Sequence, residues 1–310
     1  MNSLDFGIKN LPRFLNLVDK KLKGLAPKNI SGAGRLLHAH GKRLRPSLVI
    51  AIAFYNGKKI DDKVINAATA VELVHLASLV HDDIIDIGAL RWGVPTINSK
   101  EGTNSAILAG DYLFAKGCAL AANVSAEAGV ILAETIMRLC EGQAIELRDN
   151  FNTRRTTKSL LSAVRGKTSS MFIASVNLGG LVSGLDSNEL KVLSDVAENF
   201  GFYYQYMDDV RDFVESPETT GKSVGNDVRE GNYTLPVILS LHGPNKVTLK
   251  KLLESDDVSA PQVLEILKKD DSINRAISEA ENYKQKALLE LRNLNNAELA
   301  KSLEGFINHF

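Results

Sequence analysis

Two clusters of aspartates, each at the end of an apolar helical segment, are the residues of this sequence best suited to chemistry. The segment VELVHLASLVHDDIID, residues 71–86, ends in Asp82, Asp83 and Asp86. The segment FGFYYQYMDDVRD, residues 200–212, ends in Asp208, Asp209 and Asp212. Because an α-helix repeats every 3.6 residues, aspartates four positions apart lie on one face, where their like charges destabilise a bare helix. A positive charge must offset that repulsion.

A divalent cation is the simplest source of that charge. Mg²⁺ binds one or two carboxylates, keeps several waters and takes further ligands from phosphate oxygens. A single acidic cluster fits a solvated helix end equally well. Two DDxxD clusters about half the chain apart, each after an apolar helix, favour the metal interpretation. If the two clusters face each other, they form a multi-metal site for a diphosphate.

The composition argues against several classes of protein. The 310 residues include 37 basic and 37 acidic ones, so the net charge is zero, which disfavours a nucleic-acid or membrane-surface binder. We find no apolar run long enough for a transmembrane segment and no secretory signal pattern. Cys118 and Cys140 lie in apolar helical stretches. We expect buried free thiols in a reducing cytoplasm, although the sequence does not exclude a disulfide.

Helical periodicity covers almost the whole chain and predicts one large all-α domain over residues 1–310. Helices are predicted over residues 11–25 and 35–54, with a loop over 26–34 between them. Glycines and prolines predict a loop over 87–102, and the polar segment 216–232 predicts a functional loop. The residues placed to cap later helices are Thr103 or Asn104, Ser125, Thr156 or Thr157, and Asp186.

Several basic residues are placed where they can meet a phosphate that the carboxylates hold. They are Lys42, Arg43 and Arg45 of GKRLRP, Arg91 after the first aspartate cluster, Lys167 of RGKTSS, and Lys222 after the second cluster. The GKRLRP residues are predicted within one helical turn between apolar flanks. Each residue alone fits a surface group. Together, beside two DDxxD clusters, they favour phosphate binding, since arginine binds phosphate bidentately and lysine as a point charge.

The order and spacing of these motifs resemble those of the trans-type polyprenyl diphosphate synthases. The resemblance runs from about residue 36 to about residue 236. The motifs are GKRLRP at 41–46, HLASLVHDDIID at 75–86, GDYLFA at 110–115, GKTSSMF at 166–172, YYQYMDDVRD at 203–212, and GKSVGND with EGNYTLP at 221–236. One such motif is a weak signal, whereas the whole series in order is specific.

The resemblance implies an all-helical fold with a central cavity, two aspartate motifs facing each other across its mouth, and a homodimer. It implies a prenyltransferase that joins an allylic diphosphate to isopentenyl diphosphate and releases diphosphate. Mg²⁺ is the implied cofactor. Preorganised positive charge around the leaving diphosphate would then be the largest catalytic contribution.

The resemblance also implies roles for single residues. The implied metal ligands are Asp82, Asp86 and Asp208, and the remaining catalytic carboxylates are Asp83, Asp209 and Asp212. The residues that resemble the allylic-diphosphate site are Arg91, Lys167, Thr168, Gln205 and Lys222. The residues that resemble the isopentenyl-diphosphate site are Lys42, Arg45 and His75. Without the resemblance, a histidine on an apolar helix would be interpreted as a core residue.

Two cationic positions of the family pattern are missing. Trp92 stands where a second arginine usually contacts isopentenyl diphosphate, and Asn232 replaces a lysine that usually touches the allylic diphosphate. Loss of one charge-assisted hydrogen bond costs roughly 1.5–3 kcal/mol, an affinity or rate loss of about tenfold to a hundredfold. The changes leave open a class I terpene-synthase-like enzyme, a subunit of a heteromeric synthase, or a binding protein without turnover. We favour condensation, because both aspartate clusters and the isopentenyl-diphosphate residues are present.

Small residues precede the first aspartate cluster. In the family, bulky residues at the positions of Ala77 and Ser78 block the growing product. Their small size here predicts a medium- or long-chain (E)-polyprenyl diphosphate. Alternatively, they only permit close helix packing, and Leu113 or Phe114 supplies the floor of the product tunnel.

Overall fold

The structure is a computed structural model that describes residues 6–38, 41–91, 93–214, 225–255 and 258–310. Helices account for nearly all the regular structure in these ranges, which confirms the all-α class. The strands found there are β1 (Leu90–Arg91) and β2 (Val94–Pro95), which pair antiparallel with Leu90 opposite Pro95. This short hairpin follows the first aspartate cluster, inside the predicted loop 87–102.

The helices vary from one turn to 28 residues. In chain order they are α1 (Leu11–Gly24), α2 (Ser31–His38), α3 (Leu44–Tyr55), α4 (Asp62–Ile85), α5 (Ile97–Glu101), α6 (Thr103–Ala122), α7 (Ala126–Asp149), α8 (Thr157–Val164), α9 (Ser170–Ser183), α10 (Ser187–Val214), α11 (Asn226–Arg229), α12 (Leu235–Leu241), α13 (Lys246–Leu253), α14 (Ala260–Lys269), α15 (Ser272–Glu290) and α16 (Ala297–Asn308). A π-helical turn, Arg165–Ser169, joins α8 to α9, and a 3₁₀ turn, Leu291–Asn293, follows α15.

Contacts divide the chain into two compact units. Unit 1 contains Met1–Met137, Met171–Ala197 and Leu288–Phe310, and unit 2 contains Arg138–Ser170 and Glu198–Ala287. The single domain over residues 1–310 and its central cavity stay predictions.

The centre of unit 1 is α4, which packs against α6, α3 and α1. Its first turn is capped by Asp61, whose carboxylate accepts the backbone N–H groups of Lys63 and Val64 at 3.0 and 3.2 Å. Glycines on α6 permit close packing: a Cβ at Gly110 would lie 2.1 Å from Nε2 of His81, and one at Gly117 would lie 3.0 Å from Val74. The helix that ends in the first aspartate cluster is therefore held on several sides.

Two helices, α4 and α6, are long and apolar enough to cross a membrane by length and composition alone. The apolar window of α4 is 72% buried within the protein, as expected of a core helix, whereas that of α6 is 39% buried. Since core helices pass the same test, the absence of a transmembrane segment stays a prediction.

The structure corrects the predicted loop 26–34 and the predicted helix 35–54. Residues 31–38 form α2, and α3 begins only at Leu44. Arg43, just before α3, has a φ of 51° in the left-handed region, which a continuous right-handed helix does not contain. Lys42 and Arg43 therefore precede the helix, and the prediction that GKRLRP forms one helical turn is wrong.

Three predicted helix caps are confirmed, and the prediction of Thr103 or Asn104 as a cap is wrong, because α6 begins at Thr103 and Gly102 precedes it. The Ser125 hydroxyl accepts the N–H of Ala128 at 3.0 Å, and the Thr156 hydroxyl accepts the N–H of Ser159 at 3.2 Å. The Asp186 carboxylate accepts two N–H groups at the start of α10, at 2.8 and 2.9 Å. These caps fix where α7, α8 and α10 begin.

The two cysteines are both free. Cys118 is half-buried and Cys140 is exposed, so the expectation of a buried thiol is wrong for Cys140. The sequence pattern failed there because an apolar helix with an exposed face looks like a core helix.

Candidate active site

The first aspartate cluster lies at the C-terminal end of α4. The N–H of Asp86 donates to the carbonyl of Asp82 at 2.8 Å, so the two residues are one helical turn apart, as predicted. Asp82 is half-buried and Asp86 is exposed. Carboxylates at a helix C-terminus are repelled by its partial negative charge. A cation bound at this end would relieve that repulsion.

Asp83 differs from its two neighbours because it is buried and ion-paired. Both Nε and Nη2 of Arg91 lie 2.8 Å from Oδ1 of Asp83. The N–H of Gly88 also donates to the backbone carbonyl of Asp83 at 2.9 Å. This pair ties β1 to the end of α4, and the charge of Arg91 is shared with Asp83.

His75 lies within electrostatic reach of two other predicted substrate residues of unit 1, Arg45 and Arg91. Burial first, and then the charges of Arg45, Arg91 and Arg43, hold the pKa of His75 well below its usual range. The imidazole is therefore neutral at pH 7, and an anion bound among these cations would meet a neutral hydrogen-bonding ring. The guanidinium of Arg45 lies 5.0 Å from the ring centre of Phe172, which orients it. Lys42 is exposed.

Arg43 is a site residue whose individual role was not predictable from the sequence. Its side chain is buried, with Nε 2.8 Å from Asp19 and Nη1 2.7 Å from Glu72. The two carboxylates belong to α1 and α4, so the ion pairs anchor the turn that precedes Arg45. Partners 24 and 29 residues away leave no local signal in the sequence.

In unit 2, Lys167 projects from the π-helical turn. A Cβ at Gly142 would lie 2.6 Å from the backbone N of Lys167, and one at Gly166 would lie 2.6 Å from the carbonyl of Arg138. The two backbones touch there because both residues are glycine. The Nζ of Lys167 lies 2.6 Å from Oε1 of Glu146, an acidic partner that the sequence analysis missed.

A hydrogen-bond chain links three more predicted residues of unit 2. The hydroxyl of Thr168 donates to the side-chain oxygen of Gln205 at 2.7 Å, and the amide NH₂ of Gln205 donates to Asp209 at 2.9 Å. Asp209 is buried, and its second carboxylate oxygen has no hydrogen-bond partner. Burial raises the pKa of Asp209 to about 7, with a further increase from the charges of Asp208 and Glu146.

The other two aspartates of the second cluster have different surroundings. Asp208 is exposed. The carboxylate of Asp212 accepts the N–H groups of Asn226 and Asp227 at 3.2 and 3.3 Å, so it caps α11. Burial and the charges of Asp212 and Asp209 raise the pKa of Asp227 well above its usual range. Asp227 is therefore a further carboxylate of this cluster, which the sequence analysis did not single out.

Lys222 and Trp92 lie outside the described residues. Asn232 is half-buried, and its side-chain oxygen accepts a hydrogen bond from Nη1 of Arg155 at 2.7 Å.

The residues predicted to set product length lie on α4 and α6. Ala77 is fully buried, and the hydroxyl of Ser78 donates to the carbonyl of His75 at 2.8 Å. Leu113 is fully buried, and the ring of Phe114 lies edge-on to His81 with the ring centres 5.4 Å apart. These contacts agree with close packing of the two helices.

The donor chemistry suits a hard divalent cation, since each cluster offers carboxylate oxygens. Within the described ranges, no group of three or more histidine, cysteine, aspartate or glutamate side chains is arranged to hold a metal ion by itself.

Comparisons with known proteins agree with the fold and the motifs. The family model described as polyprenyl synthetase matches residues 30–269. The chain is 34% identical over 278 residues to heptaprenyl diphosphate synthase component 2 of Bacillus subtilis, covering 88% of this chain and 80% of the relative. It is 32% identical over 302 residues to nonaprenyl diphosphate synthase of Mycobacterium tuberculosis, covering 96% of this chain and 90% of the relative.

A solved structure shows the same fold. The polyprenyl synthase of Caulobacter crescentus, complexed with calcium and isoprenyl diphosphate, matches with a TM-score of 0.90 and 27% identity, covering 99% of this chain and 96% of that one. The fold and motifs define an all-helical prenyltransferase. The chain belongs to the polyprenyl synthetase family, and its activity class is that of the polyprenyl diphosphate synthases.

Proposed function

We propose that this protein is a Mg²⁺-dependent prenyltransferase that condenses an allylic diphosphate with isopentenyl diphosphate. The observation that carries the proposal is the presence of both DDxxD clusters inside the family match, each at the C-terminal end of an apolar helix. A solvated acidic surface does not account for two such clusters, each with basic side chains in its own unit.

The proposed roles follow from the surroundings of each residue. Asp82, Asp86 and Asp208 would hold Mg²⁺, whose positive charge stabilises the leaving diphosphate. Lys167 would bind the allylic diphosphate, with Thr168 and Gln205, which are hydrogen-bonded to each other, as polar residues of the same site. The resemblance assigns Arg91 and Lys222 to the same substrate.

The second substrate would bind in unit 1. Arg45 and Lys42 would bind the diphosphate of isopentenyl diphosphate, and neutral His75 would donate a hydrogen bond to it. The allylic C–O bond breaks, and the isopentenyl double bond attacks the resulting cation. Loss of a proton then forms the new double bond. The charged groups act by preorganisation, since their dipoles and charges need not reorganise as the C–O bond breaks.

We further propose a medium- or long-chain (E)-product. The support is the small side chain of Ala77, together with relatives named for heptaprenyl and nonaprenyl products. An exposed free thiol at Cys140 supports a reducing compartment, which we take to be the cytoplasm.

For assembly we propose a homodimer through α6, which exposes Ile107 and Leu108. A second candidate is one subunit of a heteromeric synthase. The observation that favours it is the relative named as component 2 of its synthase.

Incubation of the purified protein with Mg²⁺, labelled isopentenyl diphosphate and farnesyl diphosphate tests the function. The proposal expects label in chain-extended products. Release of diphosphate without extension would instead favour a terpene-synthase-like enzyme. If neither extension nor diphosphate release occurred, a binding role would be favoured. Extension that appears only after addition of another subunit would favour the heteromer.

A further inference from the structure

Arg155 is the most deeply buried charged residue in the described part of the chain, with 1% of its surface exposed. It lies between α7 and α8. Its Nη1 donates to the side-chain oxygen of Asn232 at 2.7 Å and to the carbonyl of Tyr233 at 2.9 Å. A buried guanidinium thus holds the segment that follows α11.

The guanidinium is only partly satisfied. Its Nε and Nη2 have no hydrogen-bond partner, and Nε lies 3.8 Å from the nearest oxygen of Asp149. Buried charged donors without partners are costly and therefore need a compensating reason. Binding of an anionic group nearby is one such reason.

The charges around Arg155 indicate what it balances. Burial lowers the pKa of Arg155, and the negative charges of Glu146, Asp149, Asp209 and Asp227 oppose that effect. Glu146 pairs with Lys167, Asp209 belongs to the second aspartate cluster, and the backbone N–H of Asp227 donates to the carboxylate of Asp212. Arg155 is therefore a buried cation within reach of several carboxylates around the proposed diphosphate site of unit 2.

We propose that Arg155 is a positioning residue for Mg²⁺–diphosphate binding: it fixes Asn232 and Tyr233 after α11, while its charge balances the carboxylates of the second cluster. This inference rests on the proposed function. Position 232 is decisive, because a side chain there reaches within hydrogen-bond distance of Arg155. A cation at position 232 can therefore replace the cation at position 155.

The test uses the full-length protein and a set of matched variants. Arg155→Met removes the charge and keeps most of the volume, while Arg154→Met removes an exposed charge one residue away. Asn232→Lys alone brings a second cation against Arg155 and is expected to lower the melting temperature. The double variant Arg155→Met with Asn232→Lys restores one cation at the same place.

Two readouts separate positioning from simple stability. The first is calorimetric binding of Mg²⁺ together with inorganic diphosphate, and the second is the KM for the allylic diphosphate, each compared with the melting temperature. Arg155→Met is expected to weaken binding of Mg²⁺ with diphosphate, and to raise the KM for the allylic diphosphate, by about tenfold or more. Arg154→Met is expected to match the wild type, and the double variant is expected to recover to within about threefold of it.

Wild-type binding in Arg155→Met would overturn the inference. A folded double variant that still binds about tenfold more weakly would do the same. If Arg155→Met does not fold, the test depends on the double variant alone. A folded double variant with near wild-type diphosphate binding supports the inference. A double variant that does not fold shows that Arg155 has a purely structural role. Absence of turnover in the wild type would instead defeat the proposed function, since diphosphate binding reports on Arg155 without turnover.

Discussion

The three aspartates at the end of α4 have three different surroundings. Asp83 is buried against Arg91, Asp86 is exposed, and Asp82 is half-buried. All three share the unfavourable end of the helix dipole. The sequence predicted the cluster but not this division, because the partner of Asp83 lies on a hairpin whose geometry depends on the fold.

Asp82→Ala is expected to lower turnover by about a hundredfold or more, because charge stabilisation of the leaving group by a bound metal is worth several kcal/mol. Steady-state incorporation of labelled isopentenyl diphosphate measures the loss. Asp62→Ala, an exposed residue at the other end of α4, is the matched control and should retain turnover. Unchanged turnover in Asp82→Ala would disprove its assignment as a metal ligand.

His75 is expected to make stability depend on pH. Its pKa is lowered in the folded protein, while the unfolded value is near 6.5. Between the two values the unfolded chain binds more protons, so the free energy of unfolding falls as pH falls below about 6.5 and is fully retained above it.

Urea unfolding of the wild type and His75→Gln at pH 7.5 and pH 5 measures this contribution. The wild type should lose more stability between the two pH values than the variant. An equal loss in both proteins would show that His75 is not held neutral by burial and the neighbouring arginines.

Apolar periodicity was enough to predict the helices that carry both aspartate clusters. Cap residues such as Ser125 and Asp186 predicted where helices begin. The break before α3 was not predictable in this way. Arg43 has no intrinsic preference for positive φ, and its conformation is held by Asp19 and Glu72 from other helices. The π-helical turn likewise depends on contact between the backbones at Gly142 and Gly166, which are far apart in sequence.

Ala77, a buried residue of α4, is predicted to affect the length of the product. Ala77→Phe is expected to shorten the products, because a ring added at this buried position would obstruct a tunnel along α4. Ser78→Ala adds no bulk and should leave the length unchanged. Chromatographic sizing of the products measures the effect. A folded Ala77→Phe variant with wild-type products would show that Ala77 serves packing alone.

In the whole molecule, the exposed apolar face of α6 is the proposed homodimer interface. Leu108 is 61% exposed on α6, and Val247 on α13 is also 61% exposed. Leu108→Arg is expected to convert a dimer into monomers in sedimentation experiments, because burial of a charged side chain in an apolar interface is costly. Val247→Arg, the matched control, should remain dimeric. A dimer that survives Leu108→Arg would place the interface elsewhere.

The sequence was sufficient for the fold class, the family and the two acidic clusters, because each depends on local patterns repeated along the chain. It was not sufficient for Glu146, Arg155 or Asp227, whose significance comes from partners brought together by folding. The interface of the proposed homodimer was not predictable either, since an exposed apolar helix face does not specify its partner.

Mg²⁺-dependent chain extension from two diphosphates can be measured by sizing the labelled products formed from farnesyl diphosphate and labelled isopentenyl diphosphate, with Mg²⁺ and with a chelator. We predict products longer than farnesyl by successive isopentenyl additions, formed only when the metal is present. Extension that is undiminished by the chelator, or no extension from any allylic starter with Mg²⁺ present, would show that the proposed function is wrong.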